Sequence, residues 1–248
     1  MIAEHHIITG ENIPVLFYYP EGVENVPVVF CMHGYSCSKY ENENIGAKLA
    51  EEGFFAVLPD ARMHGERGIS DFPEKFDNTN FFRNFFNVVK ETAEDVTRII
   101  DYLKDIKEAD IGRVGITGIS MGGHTAFMAA AYDKRIKAVA PIIGTPDWTG
   151  LFDFHPNLTR PDGEFLDYIM QFDPLTHYEN FYPAALLVQN GVKDDTVPIT
   201  GARCLDEKLK GLYKDIPERY RLIKYPETGH EVVQNMIDEA VNWFRRYL

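Results

Sequence analysis

Short apolar runs alternate with stretches of helical periodicity along most of the chain. Val26–Met32 (VPVVFCM), Phe54–Leu58, Arg113–Thr117, Ala138–Ile143, Ala184–Gln189 and Tyr220–Tyr225 are apolar without strict polar alternation. That pattern predicts strands covered on both faces of a mostly parallel sheet. An earlier pair, Ala3–Ile8 and Ile13–Tyr19, flanks Thr9-Gly10-Glu11-Asn12 and predicts a hairpin. Between the strands, Glu43–Glu52, Asn84–Lys107, Gly122–Tyr132, Ile199–Leu212 and Val232–Tyr247 read as helices. In Asn84–Lys107 the residues Val88, Ala93, Val96, Ile99, Ile100 and Leu103 form one apolar stripe. Strand–helix alternation of this kind predicts a three-layer α/β domain with right-handed crossovers.

Two stretches break the rhythm. Residues 69–87 carry Phe72, Phe76, Phe81, Phe82, Phe85 and Phe86, more apolar surface than an exposed loop can carry. Residues 145–182 lack a clear strand and are rich in aromatics and proline. Long irregular stretches in a compact domain commonly serve as lids or binding loops. Both are read as possible lid segments, the first alternatively as core packing, with Trp148, Phe152 and Phe154 of the second as candidate pocket residues.

Composition narrows the class. The 248 residues are 45% hydrophobic and 25% charged, ordinary globular usage compatible with one α/β domain spanning 1–248. The 25 basic residues face 38 acidic ones, a net charge of −13, and no Lys/Arg cluster offsets it; nucleic acid and anionic lipid are unfavoured partners. No apolar run approaches the roughly 18 residues of a membrane span. No basic region followed by an apolar one marks a secretory signal at the start. The cysteines, Cys31, Cys37 and Cys204, are odd in number, which favours a reduced, cytoplasmic setting over a disulfide framework.

The chemistry begins at Gly118-Ile119-Ser120-Met121-Gly122, which follows a predicted strand and opens a small-residue helix. This is G-x-S-x-G in the strand–turn–helix setting that exposes a nucleophilic serine. Side chains at 118 and 122 would collide with so sharp a turn. The helix N-terminus beneath Ser120 offers N–H groups and positive dipole to a developing anion. Serine needs an adjacent base, and the base needs an orienting acid, in the chain order Ser, Asp or Glu, His. The loop after Ala184–Gln189 holds Asp194 and Asp195, and the loop after Tyr220–Tyr225 holds His230. Ligand-binding groups gather beyond the carboxyl ends of parallel strands, so Ser120, His230 and one of these aspartates should share one sheet edge. The other aspartate would cap the helix at Pro198 or pair with a basic neighbour. The N–H of Met121, the residue after the nucleophile, is one expected oxyanion donor.

The segments VVFCMHGYS, LPDARMHGER, GITGISMGG, VQNGVKDDTVP and YPETGHE, in this order across nearly the whole chain, resemble a small α/β-hydrolase. The nearest likeness is to the dienelactone-hydrolase and prolyl-oligopeptidase-like esterases. The resemblance implies the three-layer α/β-hydrolase fold with a small cap or lid insertion. In such families the acid is the first Asp of G-x-x-D-x-x-V-P, which falls on Asp194. The family's H-G-x turn falls on His33-Gly34-Tyr35 and implies the Tyr35 N–H as second oxyanion donor. His33 and His64 are expected to hold loops, and His124 to pack in its helix. The implied activity is cleavage of a small-molecule carboxylic ester through an acyl-enzyme, with no cofactor or metal. A thioesterase, a hydrolase of small peptides, or a non-catalytic binding protein on the same scaffold are the alternatives. His230-Glu231-Val232-Val233-Gln234 lacks the second histidine of H-E-x-x-H, and the adjacent His5 and His6 point to opposite faces of a strand. No phosphate-binding G-x-x-x-x-G-K-[ST] loop or dinucleotide fingerprint is present, and the nucleophile slot holds serine rather than cysteine.

Overall fold

The computed structural model describes residues 1–248 except Thr9 and Glu11, which fall in the expected hairpin turn. Strands β1 (Ile2–Ile8) and β2 (Ile13–Tyr19) pair antiparallel. They join β3 (Val26–Met32), β4 (Phe55–Pro59), β5 (Ala109–Ile119), β6 (Ile136–Ile142), β7 (Ala185–Gly191) and β8 (Tyr220–Tyr225). The eight-stranded sheet has the order β1-β2-β4-β3-β5-β6-β7-β8. Every pairing from β4 to β8 is parallel.

Alternation along the central strands divides the core. Val28 and Phe30 of β3 face one layer, with α3 (Phe81–Tyr102), α4 (Met121–Tyr132) and α7 (Thr200–Leu212). Val29 and Cys31 face the other, with α1 (Glu43–Glu51) and α8 (Gln234–Tyr247). Helices on both faces cover a parallel sheet, which is why its strands read as unbroken apolar runs. No helix among the described residues is long and apolar enough to cross a membrane.

The two irregular stretches fold into short helices packed on each other. Residues 69–87 contain α2 (Phe72–Lys75) and the first turns of α3. Residues 145–182 contain α5 (Gly150–Phe154), α6 (Gly163–Met170) and a 3-10 turn at Tyr178–Phe181. Phe82 packs edge-on to Phe152 with ring centroids 4.8 Å apart, and Phe86 stacks on Trp148 at 4.8 Å. The aromatics thus serve both expected purposes. Phe86 is core, Phe82 is buried between the core and the site, and Phe81 is half-buried and turns toward the site.

Candidate active site

Ser120 sits between the end of β5 and the start of α4 with φ 54° and ψ −113°. A non-glycine residue in this region is strained, and the surrounding structure must hold it there. The clamps are visible. The Ser120 N–H donates to the Ile142 carbonyl at 3.0 Å, and the Ser120 carbonyl accepts from the His124 N–H at 3.0 Å. The glycines that the motif requires have a direct steric cause. A Cβ on Gly122 would lie 2.1 Å from the Met32 carbonyl oxygen, and one on Gly118 would lie 2.3 Å from the Gly122 oxygen. Only bare backbone lets α4 rest on the end of β3.

The histidine loop follows β8 and the acid loop follows β7. They are stitched together by Val192 N–H to Tyr225 O at 2.9 Å and Lys193 N–H to Thr228 O at 3.0 Å. Ser120 Oγ lies 2.9 Å from His230 Nε2, and His230 Nδ1 lies 2.8 Å from Asp194 Oδ2. A carboxylate only accepts, so Nδ1 carries the proton and Nε2 is left to accept the Ser120 hydroxyl proton. Oδ1 of Asp194 accepts from the N–H groups of Thr196 and Val197 at 2.9 and 2.7 Å, and the carboxylate is fully buried. The aspartate is therefore fixed from both sides. Asp195 is exposed, and its nearest polar partner is Thr196 Oγ1 at 3.5 Å. It does not cap α7, whose N-terminus has no side-chain cap.

Met121 is the first residue of α4, where N–H groups have no intrahelical acceptor. The His33-Gly34-Tyr35 turn abuts the elbow, since a Cβ on Gly34 would lie 3.7 Å from the Ile119 carbonyl. His33 holds this turn. Its Nδ1 donates to the Gly34 carbonyl at 2.8 Å and its Nε2 accepts from the Ala61 N–H at 3.0 Å. Burial lowers the His33 pKa and keeps the ring neutral. His64 likewise bonds its own loop, Nδ1 to the Arg62 carbonyl at 2.7 Å, and burial lowers its pKa as well.

Beside Ser120 lies an apolar cavity of about 130 Å³. Tyr35, Phe81, Phe82 and Phe85 line one side, and His124, Leu151, His155 and Leu158 are among the residues completing it. Thr196 and Val197 of the acid loop close the rest. Trp148, Phe152 and Phe154 do not line it: the first two are buried in the core and Phe154 is exposed. The same segment contributes Leu151, His155 and Leu158, which their composition did not single out. His155 Nε2 donates to the Thr196 carbonyl at 2.8 Å, tying the cap to the acid loop. His124 is buried as expected, yet it also faces this cavity. A larger cleft of about 350 Å³ between β8 and α8 contains none of these residues, so size alone does not mark the site.

An eight-stranded, mostly parallel sheet with helices on both faces and a serine at the sharp turn after β5 defines an α/β-hydrolase. The chain belongs to the Dienelactone hydrolase family, whose model matches residues 13–237. YitV of Bacillus subtilis (strain 168), provisionally named an esterase, is 31% identical over 253 residues, covering 97% of each chain. Esterase YjfP of Escherichia coli (strain K12) is 24% identical over 247 residues, covering 96% of each. The structure of TT1662 from Thermus thermophilus matches with a TM-score of 0.77 at 23% identity, over 99% of this chain and 98% of that one. That last likeness speaks to fold alone. Family membership makes the chain a hydrolase.

Proposed function

We propose that the chain is a serine esterase, working as one domain, that cleaves small-molecule carboxylic esters through an acyl-enzyme. The observation that carries this reading is the unbroken relay from Ser120 Oγ to His230 Nε2 at 2.9 Å and from His230 Nδ1 to Asp194 Oδ2 at 2.8 Å. Ser120 Oγ attacks the ester carbonyl carbon while His230 Nε2 takes its proton. Asp194 keeps His230 in the receptive tautomer and stabilises the imidazolium. The Met121 and Tyr35 N–H groups bind the carbonyl oxygen as it becomes an oxyanion, each donor worth roughly 3–4 kcal/mol of barrier. His230 then protonates the departing alcohol. Water, activated by the same imidazole, adds to the acyl carbon and releases the acid and Ser120. The esterase names of YitV and YjfP support the choice of ester. A cytoplasmic setting belongs to the same proposal, supported by the free thiols of Cys31, Cys37 and Cys204.

The test is hydrolysis of a short-chain p-nitrophenyl ester by the wild type and Ser120→Ala. We expect turnover and fluorophosphonate labelling in the wild type and neither in the variant. Equal rates in both, or labelling that survives the substitution, would refute the assignment.

A further inference from the structure

His124 lies one helical turn beyond Ser120 and is 1% exposed. Its Nδ1 is 2.9 Å from the Ser120 carbonyl oxygen, which can only accept, so Nδ1 carries the proton. In the neutral ring, Nε2 is then a lone-pair acceptor. Nε2 is buried and has no hydrogen-bond partner among the described residues. Phe85 packs against the ring at 90° with centroids 5.3 Å apart and offers no conventional hydrogen bond. A buried acceptor without a donor is costly, and such atoms in a folded protein call for a reason. The side chain that carries it is a wall of the cavity beside the nucleophile, whose other walls are largely apolar.

The cavity's place in the reaction follows from the relay. The leaving alcohol must lie against His230, which protonates it. His230 is not among the cavity's walls, whereas Ser120 and Tyr35 are. That lining suits the acyl side of the scissile bond. Its volume of about 130 Å³ is close to the ~150 Å³ of an apolar cavity that accepts benzene, room for an acyl chain of a few carbons.

Resting on the serine-esterase reading, we infer that His124 is a specificity residue. Its Nε2 accepts a hydrogen bond from a hydroxyl on a short acyl group, so the preferred substrates are esters of small hydroxy acids. An acyl group with a methyl in place of the hydroxyl fills the same space and leaves Nε2 unpaired. Sites built to bond a substrate hydroxyl discriminate strongly against analogues that lack it.

The experiment compares two matched pairs. They are p-nitrophenyl 3-hydroxybutanoate against 3-methylbutanoate, and p-nitrophenyl 2-hydroxypropanoate against 2-methylpropanoate. Each kcat/KM is divided by the ester's own hydroxide-catalysed rate. We expect the wild type to favour the hydroxy member of at least one pair by about tenfold or more. In His124→Leu and His124→Phe that ratio should fall to about one. Because it is a ratio within one enzyme, any general loss from disturbing the elbow cancels, and fluorophosphonate labelling confirms that Ser120 is assembled in each variant. Equal turnover of both pairs by the wild type, with activity still dependent on Ser120, would overturn the role of His124 and leave the esterase reading standing. A hydroxy preference that survives both substitutions would overturn it too. Activity independent of Ser120 would instead fail the esterase reading itself.

Discussion

Replacing Asp194 by Asn removes one charge and changes almost no volume, and the geometry dictates how the new amide must sit. Oδ1 accepts two backbone N–H groups, from Thr196 and Val197, at 2.9 and 2.7 Å. The amide NH2 cannot occupy that position without facing two donors, so the carbonyl oxygen stays there and the NH2 turns toward His230. The NH2 then donates where Oδ2 accepted, 2.8 Å from Nδ1. His230 must present a lone pair at Nδ1 and carry its proton on Nε2. That tautomer cannot take the Ser120 proton. An amide in place of the orienting carboxylate is expected to lower kcat by on the order of 10⁴-fold, about 5 kcal/mol of barrier. Asp195→Asn, at an exposed position whose carboxylate lies 3.5 Å from Thr196 Oγ1, should change kcat by less than about twofold. The assay is p-nitrophenyl acetate turnover with urea unfolding of each variant in parallel. Stability should fall by no more than roughly 1–3 kcal/mol in Asp194→Asn, so the enzyme assayed is folded. A folded Asp194→Asn with near wild-type kcat, or a collapse of activity in Asp195→Asn, would refute the reasoning.

Two further outcomes follow from the packing around the elbow. In Gly122→Ala the new Cβ would lie 2.1 Å from the Met32 carbonyl, so α4 and Ser120 must shift by about 1 Å. We expect kcat/KM to drop by on the order of 10²-fold and stability by roughly 1–3 kcal/mol. Gly163→Ala, whose Cβ would meet nothing within 4 Å, is the near-neutral control, and equal effects in both would contradict the steric argument. The second concerns acid. Burial holds the His124 pKa at about 4, against 6.5 for a free histidine, so the unfolded chain binds more protons between these values. The stability tied to its neutral form is full above about pH 6.5 and is lost as pH falls toward 4. Between pH 7 and pH 5 this amounts to about 2 kcal/mol, and urea titrations should show His124→Leu less acid-sensitive than the wild type by that amount. His33 and His64 shift in the same direction and remain in both proteins. Identical pH dependence of the two proteins would refute the assignment.

The strands were legible where burial on both faces made them uniformly apolar. β2 and β3 begin and end where their runs do. β5 is longer than its apolar segment, because Ala109 and Asp110 pair with Val26 and Pro27 before a register shift. Backbone pairing at the sheet's rim tolerates polar side chains such as Asp110, so hydrophobicity under-reports the strand. Helix α3 begins at Phe81 rather than at Asn84. Its first turn sets Phe81 and Phe82, which both line the cavity, beside the polar Arg83 and Asn84. That polar pair interrupts the apolar stripe, so periodicity places the start a few residues late.

Within the site, what is legible and what is not have different physical origins. Ser120, Asp194 and His230 follow β5, β7 and β8, strands that run parallel in one sheet, so topology alone delivers them to a common edge. The residues fixing their geometry are constrained at the level of backbone and leave narrow signatures, such as the glycines at 118 and 122. The cavity beside Ser120 obeys no comparable rule. Aromatic content in residues 145–182 pointed to Trp148, Phe152 and Phe154 as pocket residues, yet none of them lines the cavity. Leu151 and Phe152 are neighbours on α5, about 100° apart around its axis. That phase turns the leucine to the cavity and the phenylalanine into the core. His124 is hidden for a related reason. One helical turn from the nucleophile it resembles any packed histidine, until its hydrogen bond to Ser120 commits Nδ1 and leaves Nε2 without a partner. On the proposed mechanism, reaction chemistry is set by backbone geometry near the strand ends, and substrate choice by helix phase in the cap and by the lone pair of His124 Nε2.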